Sequence, residues 1–268
     1  MTAVAVVGDA TTTTTVALAA GWPNGDDVIV LEADPSGGSL AAWLDTPSQP
    51  SLATIGANVG ADSCRDLRSS FATFDAMAQH SGSGIRFVAN AVRSRPAHRA
   101  LDEAAATVLP ALVAADSTVL ADVGVHRVSI DRSPALDVSD VVVLVHRQDA
   151  ASAAAATVRV ERLVESVEDL ARLDVEIVLT VIGNTPFEPS EIAAFVDDAV
   201  PGAIRTMTAL ADDPLAAATI AGRAGVSTRR LRRLPLMRDA VELASAVSDL
   251  VVARRIDAAL LAREGRSS

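Results

Sequence analysis

Two hydrophobic patterns alternate along the chain. Short runs rich in Val and Ile occur at Ala3–Gly8, Val28–Ala33, Ile85–Ala89, Ser117–Asp122, Asp140–Val145, Glu176–Ile182 and Ala203–Met207. Each run is nearly continuous rather than alternating, the pattern of a strand buried on both faces. Ala-rich segments of helical period lie between them, at Thr12–Ala20, Pro96–Ala115, Ala150–Leu173 and Pro189–Val200. Gly21-Trp22-Pro23 stops the first of these helices, and Pro189-Ser190-Glu191 starts the last. Strand–helix alternation with right-handed crossovers predicts an α/β fold: a doubly wound, mostly parallel sheet with helices on both faces.

Two regions depart from this rhythm. Thr46–Ser83 contains Pro47, Pro50, Gly56 and Gly60, then a helix expected around Cys64–Gln79; it reads as an irregular excursion between the second and third strands. A C-terminal helix is predicted from Met237 to Arg263, with Val241, Leu243, Ala244, Val247, Leu250, Val251 and Ile256 at near-helical spacing. Such a helix can lie on a membrane or pack against the sheet. Its polar face mixes Asp239, Glu242, Asp249 and Asp257 with Arg254 and Arg255. Membrane-surface helices are usually basic on that face, so packing is the expectation. No linker or internal repeat divides the sequence, and residues 1–268 read as one domain.

Composition narrows the chemistry. Hydrophobic residues make up 50% and charged residues 21%, enough apolar surface for a globular core. Aromatics are only 3%, so few rings are present to stack on nucleic-acid bases. All 23 basic residues are arginine; there is no lysine. A GC-rich genome explains that bias, but the chemical consequence holds whatever the cause: no lysine ammonium can serve a site here. The net charge of -11 opposes nonspecific attraction to DNA or anionic membrane. Cys64 is the sole cysteine, which excludes an intrachain disulfide and a cysteine-rich zinc site. Without a leader or an apolar stretch of spanning length, the chain is expected to be cytoplasmic, with no stable membrane insertion. The four histidines, His80, His98, His126 and His146, are scattered and suggest no catalytic or metal-ligand spacing.

The first strand runs into Gly8-Asp9-Ala10-Thr11-Thr12-Thr13-Thr14-Thr15 and then a helix. A polar loop that opens a helix directly after the first strand is where α/β proteins bind phosphate, on free backbone N–H groups and the positive helix end. Val28–Gly38 ends in Glu32-Ala33-Asp34-Pro35-Ser36-Gly37-Gly38, and Val119–Gly124 ends in Asp122-Val123-Gly124. Asp34 and Asp122 have a plain structural alternative as caps of strand ends or helix starts.

Together these segments resemble the ParA/MinD family of P-loop ATPases with a deviant Walker A motif, K-G-G-x-G-K-T-T. Laid on this chain, its last three positions fall on Thr11, Thr12 and Thr13, its last glycine on Ala10 and its first lysine on Val6. Gly8 remains; both lysines are gone. The resemblance implies that Thr12 and Asp122 hold magnesium and that Asp34 orients the attacking water beside the γ-phosphate. It implies nucleotide-base contacts at Asn184, in Ile182-Gly183-Asn184, and at Asp213, in the loop Ala209–Pro214. The similarity extends to about Ala244. The helix ending Ala19-Ala20-Gly21-Trp22-Pro23 is similar to actinobacterial MinD-like proteins, some associated with Flp/Tad-type pilus or secretion machinery.

The implied function is to position or regulate a partner complex in chromosome or plasmid partitioning, septum placement or pilus assembly, as a homodimer using ATP and magnesium. Losing two charge-assisted contacts weakens triphosphate binding by about 3–6 kcal/mol, at ~1.5–3 kcal/mol each. ATP binding is therefore expected to be weak or vestigial, and hydrolysis slow or lost. A second reading is a nucleotide-free pseudo-ATPase scaffold. A third, a Rossmann-type oxidoreductase, has only Glu32 in its favour and lacks G-x-G-x-x-G. Arg229, Arg230, Arg232 and Arg233 form the one dense basic cluster in the sequence. It reads as a contact for DNA or an acidic partner, as an arginine substitute for the lost lysines, or as a solvated turn before the last helix.

Overall fold

The computed structural model describes residues 2–23, 28–62, 72, 74–114, 117–125, 133–149 and 152–264. Eight strands form one sheet in the order β3-β4-β2-β5-β1-β6-β7-β8. They are β1 (Thr2–Gly8), β2 (Val28–Glu32), β3 (Gln79–His80), β4 (Arg86–Val88), β5 (Thr118–Gly124), β6 (Val141–Arg147), β7 (Glu176–Ile182) and β8 (Ile204–Leu210). All pairings are parallel except that of β3 with β4. β1 sits between β5 and β6, with Val6 in register with Asp122 and with Val143.

The central strands are apolar because both of their faces are covered. Val4 and Val6 point into a core shared with α1 (Thr11–Gly21), α8 (Pro214–Ile220) and α10 (Pro235–Glu264). Ala5 and Val7 point into the opposite core, with α3 (Leu52–Asp62), α4 (Ser94–Ala114), α6 (Ala153–Ala171) and α7 (Pro189–Ala199). Each fully buried Val, Leu or Ile contributes roughly 1.5–3 kcal/mol relative to exposure. The remaining described helices are short: α2 (Leu40–Trp43), α5 (Pro134–Asp137) and α9 (Thr228–Leu231).

The described part of the excursion over 46–83 is more regular than its Pro and Gly content suggests. Leu52 and Ile55 are fully buried and pin α3 beneath the sheet, with Gly56 inside the helix. Burial of that apolar face outweighs the ~1 kcal/mol helix cost of a glycine. The helix expected around Cys64–Gln79 falls largely outside the described residues, although 72 and 74–77 are helical. α10 begins two residues before the expected start, and its Leu236, Met237, Ala240, Leu243, Ala244, Val247 and Val251 are buried in the core. Among the described residues, no helix is long and apolar enough to cross a membrane.

Candidate functional site

β1 ends at Gly8, and only Asp9 and Ala10 separate it from α1. Gly8 has φ 109, and a Cβ there would lie 2.2 Å from the Val145 carbonyl oxygen, so the strand can end this way only with glycine. Ala10 then takes a left-handed conformation, φ 51 and ψ 33, and turns the chain into the helix. No side chain caps α1 at Ala10. By contrast, Ser133, Ser152 and Asp213 cap α5, α6 and α8. The first amides of α1 thus point out at the carboxyl end of the central strands with no side-chain cap, the arrangement that receives an anion.

Beneath this opening the threonines meet the end of β5. The Thr12 hydroxyl donates to Asp122 Oδ2 at 2.6 Å. Asp122 is 2% exposed, and its Oδ1 is buried without a hydrogen-bond partner. Burial pushes its carboxyl above the usual range, and the nearby Asp34 charge adds to the rise; the hydrogen bond from Thr12 opposes it. Thr11 is buried and Thr13 half-buried. Asp34 is held in a turn: Ser36 donates to its Oδ1 through both the backbone N–H, at 2.7 Å, and the hydroxyl, at 2.6 Å. Gly124 makes room for Asp34, since a Cβ there would fall 2.2 Å from Oδ2. The structure therefore brings Gly8, Ala10, Thr11, Thr12, Thr13, Asp34 and Asp122 to one place.

A magnesium ion prefers hard oxygen donors. The Thr12 hydroxyl, the Asp122 carboxylate with its unpartnered Oδ1 and the adjacent Asp34 are donors of that kind, and they fit such an ion. An orphaned buried carboxylate oxygen is costly unless something else meets it.

The other expected residues lie farther along the same edge. Asn184 is exposed just past β7, where Gln148 Nε2 donates to the Gly183 carbonyl. Asp213 follows β8 and spends one oxygen capping α8, at 3.0 Å from the Ala216 N–H. Their strands are the second and third neighbours of β1 on that side. The arginine cluster does not reach the phosphate loop. Arg232 lies in a groove beside Ala19 and Ala20, at the end of α1 opposite Thr12, and beside Val28 at the start of β2. Substitution for the lost lysines by that cluster, within one chain, is thereby overturned.

Three features were missed in the sequence. Asp9 is not free. Its carboxylate accepts from Arg159 Nη2 at 3.0 Å and from the Arg147 backbone N–H at 3.1 Å. Arg159 also pairs with Asp149. His146, buried beside Asp9, is pushed by burial below its usual value. Glu32 is not free for a ligand: it is 1% exposed and accepts from the backbone N–H groups of Ser39, Leu40 and Asn90. Burial pushes its carboxyl up to about 7. It caps α2 and ties the loop after β2 to the loop after β4, which removes the sole support for an oxidoreductase.

No family model matches the sequence, and no curated protein matches it. Solved structures do. A ParA family ATPase from Chlorobium tepidum is 14% identical, with 91% of this chain and 98% of that chain covered at TM-score 0.63. A chain of the MinC:MinD cell division protein complex of Aquifex aeolicus is 11% identical, covering 93% of this chain and 96% of that chain at TM-score 0.57. Cobyrinic acid a,c-diamide synthase from Mycobacterium smegmatis, with a bound ATP analog and magnesium, is 14% identical, covering 92% and 94% at TM-score 0.56. A mostly parallel eight-stranded sheet, a helix opening directly from its central strand and these structural similarities lead to one conclusion: the chain has the ParA/MinD-like P-loop ATPase fold.

Proposed function

We propose that this protein is a degenerate ParA/MinD-type ATPase that positions or regulates a partner complex and binds ATP with magnesium weakly. The observation that carries the reading is the Thr12–Asp122 hydrogen bond, with Asp122 Oδ1 unpartnered beneath an uncapped helix start. Thr12 and Asp122 would hold the magnesium, the α1 amides would take phosphate oxygens, and Asp34 would orient water. Bound magnesium would neutralise phosphate charge. The chain's own side chains bring hydroxyls but no ammonium, so transition-state charge is poorly met and hydrolysis is slow or absent. The positioning role draws support from the ParA and MinC:MinD similarities, and ATP with magnesium from the synthase complex. Partitioning, septum placement and Flp/Tad-type machinery are the settings for such a role, with the protein acting as a homodimer.

Titration calorimetry with ATP and magnesium tests this reading. Binding in the high-micromolar range, dependent on magnesium and abolished in Thr12→Ala, is expected. A second reading, the nucleotide-free scaffold, is favoured by the pairing of β1 through Gly8, which leaves a loop of only two residues. Absence of heat and of any melting shift in wild type and Asp34→Ala alike would establish the scaffold and sink ATP binding.

A further inference from the structure

The segment 223–238 carries six arginines, Arg223, Arg229, Arg230, Arg232, Arg233 and Arg238, and no Asp or Glu, in a chain whose net charge is -11. All six are exposed. Several arginines elsewhere pair with carboxylates, as Arg86, Arg147, Arg159 and Arg254 do. Among the described residues, no ion pair involves Arg229, Arg230, Arg232 or Arg233. The strip is nonetheless ordered: successive backbone bonds run from Arg230 N–H to Ser227, Arg232 to Thr228, Arg233 to Arg230 and Arg238 to Leu234. Leu231 and Leu234 turn inward against the core, so the guanidinium groups stand outward on a fixed base.

Beside the strip lies a groove of about 470 Å³. Its lining is mixed: Trp22, Ile85 and Leu231 bring apolar surface, and Ser83, Thr228 and Arg232 bring polar groups. Arg223, nearby in sequence, stacks over the ring of Trp43 at 5.5 Å. A duplex backbone needs spread positive charge and gains nothing from the apolar part of such a groove. An amphipathic acidic segment uses both features, its apolar side chains in the groove and its carboxylates on the arginines.

We infer that the groove between the end of α1 and α9, with its arginine strip, docks an acidic amphipathic segment of a partner protein. This surface gives the partner-positioning role a contact point remote from the phosphate loop, and rests on that role only for who the partner is.

Fluorescence polarisation without nucleotide tests the inference separately from ATP binding. The probe is a labelled 18-residue Glu/Leu peptide of helical period. Its Gln-for-Glu analogue, its Ser-for-Leu analogue and a 20-base-pair duplex serve as competitors. Expected is saturable binding that weakens with added salt and falls at least tenfold in the Arg232→Glu/Arg233→Glu variant. Arg172→Glu, an exposed charge reversal just past the C-terminus of α6, should leave it unchanged, and circular dichroism checks that both variants fold. Equal binding of the Gln or Ser analogue, or no peptide binding, overturns the inference. Displacement by the duplex at lower concentration than the unlabelled peptide also overturns it and assigns the strip to nucleic acid.

Discussion

Asp9, in the loop between β1 and α1, is bound by Arg159, which reaches it from α6 at 3.0 Å. A carboxylate in that loop would repel phosphate. Here one guanidinium serves both Asp9 and Asp149, and the Arg147 backbone N–H also donates to Asp9, so its charge is partly compensated.

Removing that arginine exposes the loop's acidic character. Arg159→Ala should weaken binding of ATP, or of pyrophosphate, by about tenfold or more, because Asp9 then stands uncompensated beside the opening. Both groups are about a third exposed, so their mutual stabilisation is modest, ~0.5–1 kcal/mol. A double-mutant cycle with Asp9→Asn, read by urea denaturation, checks that coupling.

Ala10 sits where a glycine is the natural choice. Its φ of 51 costs a non-glycine residue about 1–2 kcal/mol. Ala10→Gly is expected to raise stability by up to ~1 kcal/mol, since glycine's greater freedom in the unfolded chain returns part of the gain. A denaturant midpoint shifted down rather than up would refute this account of the turn.

Asp122 should report magnesium directly. In Asp122→Asn the unpartnered oxygen loses its charge, so a magnesium-dependent part of any nucleotide-induced melting shift should vanish. Without ligand, the variant should melt no lower than wild type, because a buried carboxylate has been replaced by a neutral group of similar size. Thermal scans with and without magnesium separate the two effects.

Glu32 imposes a pH dependence with a definite sign. Its folded-state value is about 7 against 4.5 in the reference state, so the folded protein holds a proton that the unfolded chain has released. The stabilisation is complete below about pH 4.5 and is lost as pH rises through 7, by up to about 3 kcal/mol. His146 acts the other way: its value is lowered, so its contribution is present above about 6.5 and lost on acidification. Denaturation from pH 5 to 8 in wild type and Glu32→Gln isolates the glutamate, whose slope should be missing from the variant.

The sheet was legible because its strands are uniform. Seven runs of Val, Ile and Ala correspond to seven parallel strands, with ends off by a few residues. β3 is two residues long, too short to leave a pattern. The helix α3 was hidden because Gly56 and the flanking prolines read as breakers, whereas Leu52 and Ile55 decide its burial. That Thr12, Asp34 and Asp122 come together could be read because each is local to a strand end. The Asp9–Arg159 pair could not, since 150 residues separate its members and nothing in Val-Arg-Val-Glu marks which way the arginine faces. The arginine cluster was visible as composition, but its place at the far end of α1 depends on packing.

That placement makes α1 a strut. Its eleven residues span about 16 Å, with Thr12 near the top and Ala19 and Ala20 in the wall of the arginine-rimmed groove. At its lower end Gly21 touches the α10 backbone so closely that an added Cβ would lie 3.0 Å from Ala240, which leaves no slack between the two helices. α1 therefore fixes the separation between the threonines at its upper end and the groove at its lower end, and both lie on the face of the sheet that α1 shares with α10.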